Sequence, residues 1–264
     1  MKNEHRHIIL KTEDLAIGYC NKKGTHFVAK NLNIALEKGK LVTLLGKNGI
    51  GKSTLLRTLS KTQYKLEGEI RINNKKLYDI DNVSLSRSMS LVLTEKIPES
   101  QLSVYELVAL GRQPYTNWLG RLSKEDLIKI EQALKLVNIS DLGDRKNYEL
   151  SDGQLQKVMI ARALAQDTDI IILDEPTAHL DLHHKIEVFK ILQRLVLETQ
   201  KTIIISTHEV NLALQLADEL WLMTPNKFVT GTIDTLIENQ DLQNLFPEDQ
   251  VRFNTDSKQF ILKK

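Results

Sequence analysis

The chain has 264 residues, of which 41% are hydrophobic and 27% charged, the balance of a folded globular protein. Its formal net charge is +2 and its basic residues are spread along the chain, so we expect no nucleic-acid partner. One cysteine, Cys20, excludes an internal disulfide and is typical of a reducing compartment. Residues 1–7 predict no signal peptide, and the sequence has no run of about 18 apolar residues, so we expect any membrane role to come through a partner.

The predicted elements change character along the chain. Short strands come first, then a glycine-rich loop at 46–53 with a helix after it, and two further strands at 68–72 and 87–93. The early strands cover residues 7–12, 15–19, 27–36 and 41–45. Residues 101–149 are mostly helical in pattern, and strands then alternate with helices at 169–173, 182–197, 201–206, 210–217 and 219–223. This alternation predicts an α/β fold with a mainly parallel sheet and an inserted helical subdomain.

The glycine-rich loop, Gly-Lys-Asn-Gly-Ile-Gly-Lys-Ser, matches the phosphate-loop pattern G-x-x-x-x-G-K-S/T at every fixed position. Its glycines allow backbone N–H groups to converge on phosphate oxygens, and the N-terminus of the following helix adds partial positive charge. Lys52 is expected to reach the outer phosphates, and the Ser53 hydroxyl to ligate Mg²⁺. The alternative is a turn without a ligand, which the flanking strand and helix disfavour. The expected nucleotide-binding residues here are Gly46, Asn48, Gly49, Gly51, Lys52, Ser53 and Thr54.

Two carboxylates follow the apolar strand Ile-Ile-Ile-Leu at 170–173. Because sites form at the carboxyl ends of parallel strands, we expect Asp174 and Glu175 to lie near the phosphate loop. Asp174 would hold Mg²⁺, mostly through its water shell, and Glu175 would orient or deprotonate an attacking water molecule. The alternative is a strand that simply ends in solvated acids, and the upstream phosphate loop disfavours it.

A second feature suited to anions is predicted at Leu-Ser-Asp-Gly-Gln, residues 150–154, which precede a helix expected over 155–164. Ser151 and Gln154 have the spacing of a capping box, in which each side chain bonds the backbone N–H of the other residue. A capped helix N-terminus behind a glycine-bearing turn can also bind an anion.

The order of these motifs resembles the ATP-binding cassette (ABC) ATPases over nearly the whole chain. The phosphate loop, Leu-Ser-x-Gly-Gln, Asp-Glu-Pro-Thr, Leu-Asp and Thr-His follow one another as in that family, and Leu-Ser-x-Gly-Gln is the discriminating motif. The resemblance implies one ABC ATPase domain over 1–264, a phosphate-loop NTPase core with a mainly parallel sheet and an N-terminal antiparallel β subdomain. The helical subdomain would be inserted at about 96–160, with a C-terminal extension at about 225–264. It also implies hydrolysis of ATP to ADP and phosphate, with Mg²⁺ as cofactor.

The resemblance further implies a head-to-tail dimer of two copies with two ATP molecules between them. Ser151, Gly153 and Gln154 would form the signature motif, which faces the γ-phosphate bound by the other copy. Asp181, in Ala-His-Leu-Asp at 178–181, would anchor the loop that joins the two sites.

Two further residue roles rest on the resemblance. His208 follows the strand that ends in Ser-Thr, and it would be the switch histidine that contacts the γ-phosphate, a catalytic residue alongside Lys52 and Glu175. Tyr19 would stack on adenine. The alternative for Tyr19 is an aromatic side chain that only covers a strand face.

Two positions depart from the family pattern. The family usually has a glutamine that contacts the metal and the catalytic water where this chain has Leu93-Thr94-Glu95. Thr94 occupies that position by alignment and is expected to couple Mg²⁺ to the helical subdomain, with Glu95 as the alternative. Asp152 replaces the usual signature glycine, and we expect its carboxylate to face away from phosphate and to interact favourably with the helix dipole.

The adjacent pair His183 and His184 suggests a metal site at first sight. Neighbouring positions on a helix point about 100° apart, and no Cys or acidic pair accompanies them in a ligand pattern. The sequence therefore favours ordinary histidines at the start of a helix.

The segment Ser-Val-Tyr-Glu-Leu-Val-Ala-Leu-Gly-Arg-Gln-Pro-Tyr at 103–115 bears on the kind of cassette protein. It is similar to the helical-subdomain entry of importers for ferric siderophores, haem and cobalamin, where a Glu-Leu-Val-x-x-Gly-Arg-x-Pro string recurs. The alternative is an amphipathic helix that ends at Gly111, without functional meaning. The resemblance favours the ATPase subunit of such an importer.

An importer subunit would work with separate integral membrane permeases and, indirectly, with a substrate-binding protein. It would be a peripheral protein at the cytoplasmic face of the inner membrane. The alternatives are the ATPase of an exporter or lipoprotein-trafficking system, and a soluble ABC protein acting on ribosomes or DNA. A single cassette without a heptad tract disfavours the soluble class.

Overall fold

The computed structural model describes residues 7–22, 24–94, 97–245, 251–255 and 257–262. The chain divides into two compact units, the first formed by Met1–Ile80 and Thr202–Lys264 and the second by Asp81–Lys201. The helical insertion expected at about 96–160 falls inside the second unit. Within the described ranges, no helix combines the length and the apolar character needed to cross a bilayer.

Strands and helices alternate along the described chain. The strands are β1 (Ile8–Asn21), β2 (Gly24–Glu37), β3 (Leu41–Leu45), β4 (Glu67–Ile72), β5 (Lys75–Lys76), β6 (Met89–Val92), β7 (Ile170–Asp174), β8 (Thr202–Thr207), β9 (Glu219–Met223), β10 (Phe228–Gly231), β11 (Val251–Asn254) and β12 (Gln259–Leu262). The helices are α1 (Lys52–Leu59), α2 (Asn82–Ser88), α3 (Val104–Ala109), α4 (Lys124–Leu136), α5 (Asp152–Ala165), α6 (Leu182–Thr199), α7 (Val210–Leu216) and α8 (Ile233–Glu238). Short 3₁₀ turns lie at Leu77–Asp79, Leu110–Tyr115, Ser140–Leu142, Asn147–Glu149 and Asp241–Leu245.

The N-terminal part of the first unit is an antiparallel sheet in the order β2-β1-β4-β5, as the family resemblance implies. The two strands expected at 7–12 and 15–19 are in fact one continuous strand, β1. Its register against β2 shifts between Thr12 and Leu15, and Asp14 has a φ of 47° there. The shift is a bulge, which disturbs the alternation of apolar residues without ending the strand.

The parallel part of the first unit is built around β3. This strand pairs in parallel with β8 on one side and with β9 on the other, and β10 adds to β9 in the antiparallel direction. All five residues of β3 are buried. A strand covered on both faces has no solvent-facing side, which accounts for its run of apolar and β-branched residues, Leu-Val-Thr-Leu-Leu.

The second unit contains the parallel pair β6 and β7 together with the helices α3, α4 and α5. The strand expected at 87–93 is wrong at its start, because residues 82–88 form α2. The side chain of Asp81 accepts a hydrogen bond from the backbone N–H of Ser84 at 3.0 Å and so caps this helix. The strand is thereby confined to β6.

Buried Arg112 ties the helices of the second unit together. Its Nε donates to Asp126 Oδ1 of α4 at 2.7 Å, and its Nη1 donates to the carbonyl of Ala165 at the end of α5 at 2.8 Å. The Tyr115 ring lies 3.9 Å from its guanidinium carbon. A Cβ at Gly111 would lie 2.2 Å from the Arg162 carbonyl oxygen. The Gly-Arg step of the importer-like segment is therefore required by packing against α4 and α5.

Candidate functional site

The phosphate loop connects β3 to α1 in the first unit, in the strand–loop–helix order that its sequence predicts. Gly49 and Gly51 have φ of 77° and 116°, a region that residues with a Cβ rarely adopt. A Cβ at Gly51 would also lie 2.2 Å from Val28 Cγ1. Gly51 is the N-cap of the eight-residue helix α1, so the first N–H groups of that helix are available to an anion in the loop.

The ammonium group of Lys52 is held against the loop's own backbone. Its Nζ donates to the carbonyl of Gly46 at 2.9 Å and to that of Lys47 at 3.3 Å. The aliphatic part of the side chain is buried, and the whole residue is only 5% exposed. The loop thus positions a fixed positive charge at the place where the sequence predicts phosphate.

Tyr19 lies at the end of β1, and its hydroxyl is 2.7 Å from the Thr54 hydroxyl on α1. The side chain remains half exposed, at 51%. The structure thus connects two of the predicted nucleotide-binding residues directly. Stacking of the Tyr19 ring on adenine stays a prediction.

His208 lies in a pocket with residues of the phosphate loop. The pocket is lined by Gly46, Lys47, Asn48, His208, Val210 and Leu245. The His208 Nε2 atom is 3.3 Å from Glu209 Oε1, and half of the side chain is exposed. Because β8 pairs directly with β3, the histidine that follows β8 comes next to the loop that follows β3. Its contact with a γ-phosphate stays a prediction.

In the second unit, Asp174 ends β7 and is buried, and Glu175 follows with a φ of 47°. Left-handed backbone at a residue with a Cβ is uncommon and is often found at functional sites. Glu175 lines a pocket that also contains a predicted metal-coupling residue, Thr94. The other residues of the pocket are Leu93, Ile97, Asp152, Leu155, Gln156, Met159, Ala178, His179 and Leu180.

Thr94 is attached to the strand that carries the acids. Its hydroxyl donates to the backbone carbonyl of Asp174 at 2.8 Å. Thr94 therefore contacts the backbone of Asp174, the residue that is predicted to hold Mg²⁺. The alternative residue, Glu95, lies outside the described residues.

The signature segment forms the capping box that its spacing predicts. Gln154 N–H donates to Ser151 Oγ at 3.2 Å, and Ser151 N–H donates to Gln154 Oε1 at 3.0 Å. The helix behind it, α5, starts at Asp152, which lies in the first turn where a negative charge interacts favourably with the helix dipole. The orientation of the Asp152 carboxylate relative to phosphate stays a prediction.

Asp181 is the N-cap of α6. Its Oδ1 accepts a hydrogen bond from the backbone N–H of His184 at 2.9 Å and lies 2.9 Å from the imidazole Nδ1 of the same residue. Hydrogen bonds from His184 lower the pKa of Asp181, and the bond from the His184 backbone has a larger effect than the bond from its side chain. This carboxylate is therefore ionised at neutral pH.

His183 and His184 lie closer to a third metal-ligating group than the sequence suggests. Their ring nitrogens and a Glu187 carboxylate oxygen lie within 4.8 Å of one another. Glu187, however, already forms an ion pair with Lys157 at 2.6 Å. The helix-start location predicted for the two histidines is confirmed, since both belong to the first turn of α6.

Sequence reasoning missed Gln156 as a residue of the candidate site. It lines the pocket of Thr94 and Glu175, and among the described atoms its amide Nε2 is buried without a hydrogen-bond partner. Its position four residues after Asp152 was the available signal, because residues i and i+4 share one face of a helix.

Comparisons with known proteins extend these observations. The chain is 39% identical to the iron(3+)-hydroxamate import ATP-binding protein FhuC of Bacillus subtilis, over 76% of this chain and 74% of the relative. It superposes on a metal-chelate type ABC transporter in an inward-facing conformation with a TM-score of 0.78 and 28% identity, covering 97% of this chain and 96% of the other. It superposes on a dimeric bacterial ABC transporter cassette with a TM-score of 0.72 and 27% identity, covering 85% and 98%.

The family model described as ABC transporter matches residues 29–178. The matched range contains the phosphate loop, the signature segment and the two acids after β7. It also covers more than half of the chain, and the α/β fold with a mainly parallel sheet and an antiparallel N-terminal sheet agrees with it. The chain therefore belongs to the ABC transporter family, as an ATP-binding and ATP-hydrolysing member.

Proposed function

We propose that this chain is the ATPase subunit of an importer for an iron chelate, a ferric siderophore or haem, or for cobalamin. The observation that carries the proposal is the similarity to an iron(3+)-hydroxamate import protein, which extends over three quarters of both chains. The segment at 103–115 supports it through its sequence, which is similar to the helical-subdomain entry of such importers.

The proposed chemistry is attack of a water molecule on the γ-phosphorus of ATP, with cleavage of the bond to the bridging oxygen of ADP. Glu175 accepts the proton of that water, and the Lys52 ammonium stabilises negative charge on the phosphate oxygens. His208 contacts the γ-phosphate, and Tyr19 stacks on adenine. The remaining proposed nucleotide contacts are Gly46, Asn48, Gly49, Gly51, Ser53 and Thr54.

The residues present fit a hard divalent cation. The Ser53 hydroxyl and the Asp174 carboxylate are each oxygen donors of the kind that Mg²⁺ prefers, and their roles as ligands follow from the family resemblance. The Thr94 hydroxyl, which donates to the Asp174 carbonyl, can still accept a hydrogen bond from a metal-bound water. Mg²⁺ bound to these groups would neutralise phosphate charge.

The proposed assembly contains two copies of the chain head to tail. Ser151, Gly153 and Gln154 of one copy face the ATP bound by the other, and Asp181 anchors the loop between the two sites. The similarity to a dimeric cassette supports this arrangement. Separate permease subunits hold the pair at the cytoplasmic face of the membrane, and a substrate-binding protein delivers the cargo to them. Each copy has one ABC ATPase domain over 1–264, with the helical subdomain inserted at about 96–160 and a C-terminal extension at about 225–264.

The test is uptake of labelled ferric siderophore, haem and cobalamin by cells that lack the gene. The cells are complemented with the wild type or with Glu175→Gln. Loss of one uptake, restored by the wild type alone, is the expected result and identifies the cargo. Normal uptake of all three labels would instead favour the ATPase of an exporter or of lipoprotein traffic.

A further inference from the structure

His184 contacts two predicted dimer-facing segments of its own chain. It is the third residue of α6, and its Nδ1 atom lies 2.9 Å from Asp181 Oδ1 at the end of the 178–181 loop. An ionised carboxylate accepts hydrogen bonds and cannot donate them, so the Nδ1–H group of His184 is the donor and Asp181 Oδ1 the acceptor. The imidazole ring is thereby fixed by the loop residue that caps its own helix.

The opposite edge of the same ring lies on the signature glycine. A Cβ built on Gly153 would lie 2.7 Å from His184 Cδ2, 3.1 Å from Cγ and 3.2 Å from Nε2. The φ of Gly153 lies outside the left-handed region, so backbone conformation does not call for a glycine here. Within this chain, the His184 ring is what leaves no room for a side chain at Gly153.

We propose that His184 is a positioning residue that keeps the Asp181 loop and the signature turn at Gly153 in one fixed relative placement. The inference rests on the proposed function, in which both segments reach the ATP site of the second copy. With one ring between them, the two segments move together when the dimer closes. Without the ring, each segment samples its own positions and closure over ATP becomes less favourable.

The same three side chains make a metal site the main competing explanation. The Nδ1 proton donated to Asp181 leaves only Nε2 of His184 as a ligand, and the Glu187 carboxylate is held by Lys157 at 2.6 Å. A metal ion would have to displace that lysine. Exposed His183 belongs to the possible metal group, and its ring lies edge-on to the His184 ring with 5.6 Å between the centroids. The hydrogen bonds to Asp181 and the atoms packed on Gly153 come from His184, so His183→Ala separates the two explanations.

Three variants test the two contacts of His184 separately. His184→Ala removes both contacts. His184→Asn keeps a donor near the position of Nδ1 but loses the ring edge, whereas His184→Phe keeps a ring on Gly153 but loses the donor. His183→Ala is the matched control. For each full-length variant we would measure ATPase kcat and KM, the Kd for a fluorescent ATP analogue, the melting temperature, and ATP-dependent dimer formation in a Glu175→Gln background.

The expected result for His184→Ala is a kcat lower by roughly ten- to a hundredfold, the loss typical of a misplaced catalytic segment. The Kd for the ATP analogue and the melting temperature stay at wild-type values, because Lys52 and the phosphate loop are untouched. ATP-dependent dimer formation weakens in His184→Ala. His184→Asn and His184→Phe each recover part of kcat, and His183→Ala has the kcat of the wild type.

The inference is overturned if His184→Ala keeps the wild-type kcat. It is also overturned if Kd and melting temperature shift together with kcat, which indicates a general folding defect. An equal loss in His183→Ala, reproduced in the wild type by a chelator that spares Mg²⁺, would establish a metal site instead. If the wild-type chain hydrolyses ATP but restores no uptake, the importer proposal is refuted and the inference about His184 is not. The effect of His184→Ala on kcat and dimer formation then still decides the role of His184.

Discussion

The hydroxyl of Thr94 donates a hydrogen bond of 2.8 Å to the backbone carbonyl of Asp174. Thr94 comes just after β6 and Asp174 is the last residue of β7, and these two strands pair in parallel. The bond therefore joins the segment leading to the helices of the second unit with the segment that carries the predicted Mg²⁺ ligand Asp174 and the predicted base Glu175. We therefore expect movement of Glu175 and movement of the chain after Thr94 to be coupled through this hydrogen bond.

Thr94→Val should lower ATPase kcat and the amount of cargo imported per ATP. The substitution keeps the shape of the side chain and removes one hydrogen bond, worth about 1 kcal/mol or roughly a fivefold change in an equilibrium. Thr94→Ser keeps the hydroxyl and is the control. ATPase and uptake assays in reconstituted vesicles measure both quantities, and equal values for the valine and serine variants would contradict the prediction.

Lys52→Ala should weaken ATP binding itself. Hydrogen bonds to charged groups contribute about 1.5–3 kcal/mol, so we expect the Kd for ATP to rise by roughly 10- to 150-fold. Titration calorimetry measures this Kd directly. Lys22→Ala removes the same charge from an exposed position in the first unit and should leave the Kd unchanged. A wild-type Kd in Lys52→Ala would remove this residue from the phosphate site.

Glu175→Gln should abolish turnover while leaving ATP binding intact. Loss of a general base typically costs a factor of about 10² to 10⁴ in rate, and ATP that is not hydrolysed should hold the dimer closed. Size-exclusion chromatography with ATP and Mg²⁺ detects the closed dimer. Asp152→Asn changes a second acid in the same pocket and should alter the rate only a few-fold. Wild-type turnover in Glu175→Gln would assign the base to another residue.

Asp126→Asn should destabilise the second unit in a pH-dependent way. Burial by itself raises the pKa of Asp126, but hydrogen bonds from Ser123 and the hydrogen bond and charge of Arg112 outweigh it, so the pKa in the folded chain lies below the ordinary value. Such a group adds stability that is fully present above the unfolded pKa of about 3.9 and is lost as pH falls through the lower folded value.

We therefore expect Asp126→Asn to lose about 3 kcal/mol at neutral pH, since it leaves the buried Arg112 without a charged partner. The difference from the wild type should shrink below about pH 4. Urea unfolding at several pH values measures both effects. Glu125→Gln, one residue earlier on the exposed face of α4, is the control and should behave as the wild type. A pH-independent difference would contradict the assignment of the charge to Asp126.

Local spacing was sufficient for the parts of the site that lie within a few residues of one another. The phosphate loop between β3 and α1, the capping box of Ser151 and Gln154, and the two acids after β7 all follow from short-range rules of backbone geometry and burial. The same rules gave wrong strand boundaries where a helix cap or a β-bulge, which the apolar pattern does not record, changed the backbone. The Asp81 cap that starts α2 and the bulge at Asp14 within β1 are the two cases.

By itself the sequence determined the family, the candidate site residues and the nature of their chemistry, because motif residues and their order are linear properties. Only the tertiary structure decided which residues come together: His208 shares a pocket with the phosphate loop, Thr94 bonds Asp174, and His184 contacts both Asp181 and Gly153. Apart from the local pair of Asp181 and His184, these residues lie between 31 and about 160 positions apart in the sequence. Periodicity reports which face of an element is buried, whereas a contact of this kind depends on how strands pair and helices pack, and no local pattern records that.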